Sequence, residues 1–231
     1  MRILATAPPS DFAVYIARTD TRYVEREGEL LETLYDEGYL PYSGNKYLQG
    51  IFYSARSARV ALPEFVLTSE NRRIARKFDG QFSKRRIPVG EFNADEAFYA
   101  FVLNYFAQRH GPETMPRERL NVLLSSGLIS TIIEYRQDAI AVGYVLEVES
   151  GSMRHYWYSA YDLGLAKQSL GLWLMLDCIR EAKEAGLAHY YLGTVYGQKA
   201  LYKTNFEPLE WHEGTAWSRD LGLLKEKSRQ E

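Results

Sequence analysis

The strongest constraint on the fold is a change of periodicity in the second half of the chain. Three β-rich runs separated by short turn sequences come first, which is typical of an antiparallel meander. They cover residues 130–136, 139–147 and 154–161. From Leu170 to Glu184 the apolar residues recur at helical spacing instead. The pattern then predicts a strand at 188–192, a helix at 197–204 and a last strand at 213–217.

The first part of the chain predicts a smaller α+β region. Residues 25–37 place Leu30, Leu31, Leu34 and Tyr35 on one stripe of a short helix. A turn at 42–46 and strands within 47–66 are expected next. A helix begins at Asp95, and a loop of about a dozen residues follows it. We therefore predict an N-terminal α+β region at 1–90 and a second domain at 91–231.

The order of elements in the second half is that of the GNAT acyltransferase fold, so the fold class is predicted to be α/β (α+β) and GNAT-like. In that fold the loop before the long helix points backbone N–H groups at an anionic donor. Acetyl-CoA users carry Gln/Arg-x-x-Gly-x-Gly/Ala at this point. This chain offers Gln168 and Gly171 but then Trp173, and a large indole disfavours the CoA interpretation.

The charge balance limits the classes of partner. The formal net charge is −2, so average charge alone would not attract nucleic acid. One segment is nevertheless strongly basic and is a candidate anion site. It contains Arg72, Arg73, Arg76, Lys77, Lys84, Arg85 and Arg86 against a single acid, Asp79.

Other sequence features predict a soluble, cytoplasmic protein without a metal or a resident cofactor. We find neither a run of about eighteen apolar residues nor the apolar core of a signal peptide. The single cysteine, Cys178, excludes an internal disulfide and any multi-cysteine metal site. The four histidines have no ligand spacing.

Short motifs spread over the whole chain resemble the aminoacyl-tRNA–protein transferase family, the arginyl- and leucyl-tRNA–protein transferases. In the first part they are Gly38-Tyr39, Ser43-Gly44, Tyr47, Arg59-Val60, Phe65, Ser69 and Arg72-Arg73. In the second part they are residues 106–110, Glu134-Tyr135-Arg136, Tyr158, Tyr161-Asp162, Ser169-Leu170-Gly171, Tyr191-Leu192-Gly193, Tyr202-Lys203 and residues 206–210. The compact length is similar to the bacterial, leucine-transferring branch.

The resemblance implies that the chain uses aminoacyl-tRNA to add leucine or arginine to the N-terminal α-amine of an acceptor protein, in an N-degron type of pathway. Aminoacyl-tRNA would be a co-substrate. The family usually has clustered cysteines just after the position of Tyr47, linked to a metal or iron–sulfur site. This chain has Ile51, Tyr53, Ser54 and Ser57 there, so no metal site is carried over.

We carry over candidate residues in three groups. The catalytic candidates are Asp162, for an ammonium group, and the hydroxyls of Tyr161 and Tyr202. The candidates for binding donor or acceptor are Arg72, Arg73, Glu134, Arg136, Gln168, Ser169, Leu170, Gly171 and Lys203, and those for tRNA are Lys84, Arg85 and Arg86.

Each candidate also has a structural interpretation, and two further functions stay open. Asp162 could be a helix N-cap, the tyrosines could edge the core, and the arginines could form surface ion pairs. The alternative functions are a CoA-dependent GNAT N-acyltransferase and a family member repurposed for another acceptor or for binding alone.

Overall fold

The computed structural model describes residues 2–7, 19–23, 30–42 and 50–231. The strands are β1 (Arg2–Ala7), β2 (Thr19–Tyr23), β3 (Tyr39–Pro41), β4 (Ile51–Ser54), β5 (Ser57–Ala61), β6 (Ser83–Pro88), β7 (Thr131–Gln137), β8 (Ile140–Ser150), β9 (Met153–Tyr161), β10 (His189–Thr194), β11 (Leu209–His212) and β12 (Trp217–Ser218). The α-helices are α1 (Leu31–Asp36), α2 (Ser69–Phe78), α3 (Glu96–His110), α4 (Arg117–Leu124), α5 (Leu163–Ala166), α6 (Leu170–Glu184) and α7 (Leu221–Arg229). Short 3-10 helices lie at Leu62–Glu64, Val89–Glu91 and Gln198–Asn205.

The chain divides into two compact units that do not follow chain order. The first unit comprises Met1–Thr68, Ser150–His155 and Ala182–Glu231, and the second comprises Ser69–Glu149 and Tyr156–Glu181. The proposed domain boundary between residues 90 and 91 stays a prediction.

The first unit contains two groups of paired strands. β1, β2, β4 and β3 are antiparallel neighbours in that order. In the second group β12, β11, β5 and β10 are antiparallel neighbours, and the start of β9 runs parallel to β10. All five residues of β5 are buried, including Arg59, so this strand is central to the unit.

The second unit places helices against an antiparallel sheet. The strand order is β6, β7, β8 and then the later part of β9. Asp95 caps α3 by accepting a hydrogen bond from the Phe98 backbone N–H at 2.8 Å, which fixes where this helix begins. The apolar side of α3 packs with α4 and the sheet in a core that includes Phe98, Val102, Tyr105, Phe106, Leu120, Leu123, Ile132 and Tyr144.

Most predicted elements of the second half are confirmed. The helix at Leu170–Glu184, the helix capped by Asp95 and the three strands of the meander are present. The strand predicted at 188–192 is β10, and the helix predicted at 197–204 is a 3-10 helix. The mixed α/β, GNAT-like fold class is therefore confirmed by the order of meander, loop, α6, β10, helix and strand.

Other predictions were wrong or incomplete. The last strand was placed at 213–217, but those residues mostly join β11 to β12. The loop predicted after α3 contains α4, and the basic segment is split between α2 and β6. Leu30 is 66% exposed and so lies off the buried stripe of α1. Residues 25–29 and the motif residues Ser43, Gly44 and Tyr47 lie outside the described residues.

Candidate active site

Six of the predicted site residues lie between the end of β9 and the start of α6 in the second unit, namely Tyr161, Asp162, Gln168, Ser169, Leu170 and Gly171. Asp162 directly follows β9, and its Oδ1 accepts a hydrogen bond from the Gly164 backbone N–H at 2.6 Å. It is therefore the N-cap of α5, as in the structural interpretation. Its proposed role in binding an ammonium stays a prediction.

Glycine at position 171 is required by the ring of Tyr161. A Cβ added to Gly171 would lie 2.6 Å from Cζ and 2.7 Å from the hydroxyl oxygen of Tyr161. Ser169, two residues earlier, has a φ of 76°, in the left-handed region that few side chains adopt. Leu170 is fully buried and anchors the start of α6 in the protein interior. One residue later, the Tyr161 ring packs against Gly171. The predicted pair Tyr161 and Gly171 are thus in contact.

Trp173 is a core residue. Its side chain is 4% exposed, its Nε1 donates to Asp79 at 2.8 Å, and its ring packs near Phe78 and Tyr135. Its bulk points into the second unit, so its presence alone does not decide between CoA and another donor.

Three predicted residues form one cluster on neighbouring strands of the second unit. Arg85 and Tyr144 both pair in register with Glu134, from β6 and β8. Glu134 accepts from Arg136 Nη1 at 2.7 Å and from the Tyr144 hydroxyl at 3.3 Å, and Arg85 Nη1 lies 3.6 Å away. Burial, and then the Glu134 charge, raise the pKa of Tyr144 to about 12. Arg85 is the most exposed member, with 67% of its side chain accessible.

Lys84 and Arg86, the two neighbours of Arg85, form ion pairs. Lys84 Nζ lies 2.7 Å from Asp177 and also pairs with Glu181. Burial would lower the pKa of Lys84, but the nearby Asp177 and other partners leave it raised. Arg86 Nη2 lies 2.7 Å from the fully buried carboxylate of Glu147, and its Nε lies 3.1 Å from Glu181. These cations therefore neutralise carboxylates of their own unit.

The remaining donor and acceptor candidates of the second unit lie near its surface. Arg72 and Arg73 are exposed on α2, and Arg73 pairs with Glu70 one turn earlier. Gln168 is exposed, and its backbone carbonyl accepts from Lys77 at 3.4 Å.

Tyr202 and Lys203 lie in the first unit, on the 3-10 helix Gln198–Asn205. Tyr202 is 42% exposed, whereas Lys203 is buried and its Nζ donates to the Thr194 carbonyl at 2.6 Å. Burial lowers the pKa of Lys203 to about 7. A lysine with this pKa is present in both its protonated and its neutral form at physiological pH.

A buried histidine lies beside Lys203. Burial, followed by the Lys203 charge, lowers the pKa of His155 to about 3, so its imidazole is neutral. Its Nδ1 and the Tyr35 hydroxyl are 2.9 Å apart. Gly193 has a φ of 78°, and a Cβ there would lie 3.5 Å from His155 and 3.7 Å from Lys203 Nζ.

The sequence did not reveal a second polar cluster of the first unit. Arg59 donates to Asp36 at 2.8 Å, to Glu210 at 2.9 Å and to the Tyr191 hydroxyl at 2.9 Å. Its guanidinium carbon lies 4.0 Å from the centre of the Trp217 ring. The partners are up to 151 residues apart in sequence, so no local spacing could have signalled them.

The family that the sequence resembles usually has cysteines after the position of Tyr47. In this chain the residues at those positions do not suit a metal. Ile51 and Ser57 are buried in β4 and β5, and neither supplies a thiolate. Within the part of the chain that the structure describes, no group of three or more His, Cys, Asp or Glu side chains could hold a metal ion. In the same described part, no helix is long and apolar enough to cross a membrane.

Comparisons with known proteins identify relatives. The family model described as "Arginine-tRNA-protein transferase, C terminus" matches residues 97–213, just over half of the chain. The chain is 31% identical to an aspartate/glutamate leucyltransferase of Nitrosococcus oceani, covering 75% of this chain and 72% of that protein. It is 30% identical to one of Hyphomonas neptunium, covering 77% and 76%.

A solved structure is similar at lower identity. L-PGS from Bacillus licheniformis shares 13% identity with a TM-score of 0.47, covering 71% of this chain and 49% of that one. The family match and the two leucyltransferases carry the assignment, because the family model extends over the meander, α6, β10, the 3-10 helix and β11, and the leucyltransferases cover about three quarters of this chain. The chain belongs to the aminoacyl-tRNA–protein transferase family.

Proposed function

We propose that this aminoacyltransferase moves leucine from leucyl-tRNA to the N-terminal α-amine of proteins that begin with aspartate or glutamate. The observation that carries the proposal is the match at about 30% identity to proteins named aspartate/glutamate leucyltransferase, over roughly three quarters of both chains. An acceptor of this kind implies a role in an N-degron type of pathway. A charged tRNA as co-substrate implies that the protein works in the cytoplasm.

The proposed reaction is aminolysis of an ester. A C–N bond forms between the acceptor nitrogen and the leucyl carbonyl carbon, the C–O bond to the terminal ribose breaks, and a proton passes from the amine to the released ribose oxygen. A protein α-amine has a pKa of about 7.7 to 8.0, so about a fifth to a third of it is neutral at physiological pH. The enzyme then mainly has to position the amine and stabilise the oxyanion.

We assign roles by chemistry and exposure. Asp162 would hold the ammonium of the acceptor or of the leucyl group, and the hydroxyl of Tyr161 in the same unit would donate to the oxyanion or the ribose. The hydroxyl of Tyr202, in the first unit, is a separate candidate for such a donor. The backbone at Ser169 and Gly171 would face the donor.

The tRNA contacts would fall on exposed cations. Of the three predicted on β6, Arg85 is the best candidate, because Lys84 and Arg86 are ion-paired with carboxylates of the same unit. Arg72 and Arg73 are exposed on α2 and would meet phosphate or an acidic acceptor.

The deciding experiment supplies purified protein with labelled leucyl-tRNA, arginyl-tRNA or acetyl-CoA. Peptides that differ only in their first residue serve as acceptors. We expect label transfer from leucyl-tRNA to peptides beginning with Asp or Glu. Transfer from acetyl-CoA alone would replace the proposal with the CoA-dependent alternative.

One substitution separates the two roles of Asp162. Asn caps helices about as well as Asp, so Asp162→Asn keeps the hydrogen bond to Gly164 and removes the charge. We expect it to lower transfer while leaving the thermal unfolding midpoint within about 1 °C, since the cap is retained. Unchanged transfer would leave Asp162 as a structural cap only.

A further inference from the structure

A carboxylate site in the first unit is filled by a side chain of the protein itself. Both terminal guanidinium nitrogens of Arg56 donate to the carboxylate of Glu231, with Nη1 3.1 Å from Oε2. The backbone N–H of Gly197 donates to the same Oε2 at 2.8 Å. The side chains of Arg56 and Glu231 are only 16% and 12% exposed. The carboxylate therefore has a fork of two cationic donors and one amide donor in a mostly covered position.

The donors are also held by contacts that do not involve Glu231. The Arg56 backbone N–H donates to the Tyr196 hydroxyl at 2.8 Å, and the Arg56 carbonyl accepts from Val195 N–H at 2.7 Å. The guanidinium carbon lies 4.8 Å from the centre of the Tyr196 ring. Gly197 has a φ of 63°, which turns its N–H toward the site at a conformation that glycine adopts without strain. Because both ends of Arg56 are fixed, little ordering remains to be done on binding.

The site adjoins the predicted functional residues of the same unit. The loop 195–197 joins β10 directly to the 3-10 helix that carries Tyr202 and Lys203. Lys203 Nζ anchors that helix to Thr194, the residue before the loop. A ligand held by Arg56 and Gly197 would therefore lie at the start of the segment that carries Tyr202, which is 42% exposed.

We propose that Arg56 and Gly197 bind the side-chain carboxylate of the acceptor's first residue, and that Glu231 occupies this site as an internal competitor. The inference rests on the proposed function, because it names the residues that would select an acidic acceptor. The chemistry is selective: a carboxylate accepts from all three donors, whereas the amide group of Asn or Gln would place its own N–H groups against some of them.

The test measures transfer of leucine to two peptides that differ only by Glu or Gln at position 1. Glu231→Gln should lower KM for the Glu peptide about three- to tenfold, because the site is open in a larger fraction of molecules. The control Glu226→Gln, an exposed glutamate of α7, the helix that precedes Glu231, should leave KM unchanged. In the Glu231→Gln background, Arg56→Met should reduce the preference for Glu over Gln by about tenfold or more.

Two further variants keep the result interpretable. Arg56→Lys keeps the charge and loses the fork, so it should retain the fold and still lose a large part of the preference. Arg229→Met, an exposed arginine of α7, controls for loss of a positive charge. Thermal unfolding of each variant shows whether the protein is folded.

The outcomes separate this inference from the proposed function. If the protein transfers leucine to the Glu peptide but neither Arg56 nor Glu231 changes KM or the preference, the inference is wrong and the function stands. If no variant transfers leucine to any peptide, calorimetric titration of the Glu peptide decides. Binding to Glu231→Gln that is at least tenfold weaker with Arg56→Met added would support the carboxylate site, and equal binding would overturn it.

Discussion

The two compact units each cover a lysine, Lys203 almost completely and Lys84 in part, and the pKa values of the two lysines shift in opposite directions. In the first unit Lys203 faces a backbone carbonyl and a neutral imidazole, so burial lowers its pKa to about 7. In the second unit Lys84 lies between Asp177 and Glu181, and its pKa is raised despite burial. Lys203 is more deeply buried than Lys84 and has no carboxylate among its described contacts, so burial and partners together decide whether each cation keeps its proton.

The difference separates residues that look alike in the sequence. Lys84 and Arg86 were grouped with Arg85 as contacts for tRNA, yet they balance carboxylates of α6 and β8. Lys203, by contrast, has no carboxylate among its described contacts. A cation of the first kind stabilises the fold. A cation of the second kind is costly to the fold and is retained more easily where it serves a function.

The largest expected effect is a pH-dependent cost of Lys203. Its folded pKa of about 7 lies below the unfolded value of about 10.4, so the unfolded state binds more protons between these values. The stability of the wild type should therefore rise with pH across that window, by about 1.4 kcal/mol per pH unit, and should have lost this contribution below about pH 7. Lys203→Met should remove the dependence.

The measurement is urea unfolding of wild type and Lys203→Met from pH 6 to 10. We expect the unfolding free energy of the wild type to rise steadily relative to that of Lys203→Met as the pH increases above 7. A difference that stays flat over this range would mean that Lys203 remains protonated in the folded protein.

The second effect concerns Arg86 and its exposed neighbour Arg85. Arg86→Met removes the guanidinium from the fully buried Glu147 and should cost about 3 kcal/mol, the low end for a buried pair, because Arg86 is partly exposed. Arg85→Met, one residue earlier on the same strand, should change stability by less than about 0.5 kcal/mol. Chemical denaturation of both variants checks the contrast. Equal losses would show that β6 tolerates neither change and that burial is not the reason.

A third, smaller effect tests whether the pKa of Lys84 is shifted in the direction opposite to that of Lys203. Lys84→Met should cost about 1 to 2 kcal/mol at neutral pH, because Asp177 and Glu181 lose a shared, half-buried partner. Its folded pKa is raised, so this contribution is fully present below the unfolded value and is lost only at still higher pH. The loss should therefore be the same at pH 6 and pH 9. A loss that changes with pH as for Lys203 would contradict the ion-paired state.

The sequence predicts the parts of this protein whose signals are local. The helix Leu170–Glu184 was predicted with the observed bounds, because its apolar spacing extends over four turns. Helix α4 was missed, because it begins with three charged residues, Arg117, Glu118 and Arg119, and only Leu120 and Leu123 are buried. The contact of Tyr161 with Gly171 depends on packing between a strand end and a helix start, which no spacing reports.

The charged residues show the same limit more sharply. Arg86 is 61 residues from Glu147, and Arg56 is 175 residues from Glu231. A charge run in the sequence gives the number of cations but not their partners, so Lys84, Arg85 and Arg86 appear equivalent until the strands are paired. The assignment of Lys203 to the site came from the family resemblance, and its burial could not be inferred from an isolated lysine on a short helix.

The smallest expected effect concerns tRNA binding by the one exposed cation of β6. Phosphate contacts release counterions, so binding weakens with salt by a slope of about 0.7 per contact for single strands and about 0.9 for duplexes. Arg85→Gln should therefore reduce the log–log slope by a little less than one unit. Replacing Arg86 should add nothing, since its guanidinium is held by Glu147 and Glu181.

The experiment measures leucyl-tRNA affinity over a salt series for wild type, Arg85→Gln and Arg109→Gln. Arg109 is an exposed arginine near the end of α3 in the same unit and controls for a general loss of positive charge. A slope that falls for Arg85→Gln alone places a phosphate at β6. Equal reductions in both variants would mean that tRNA is attracted diffusely to the unit as a whole. No reduction in either variant would favour a tRNA contact at the exposed arginines of α2 instead. Arg72→Gln and Arg73→Gln would then be measured in the same way.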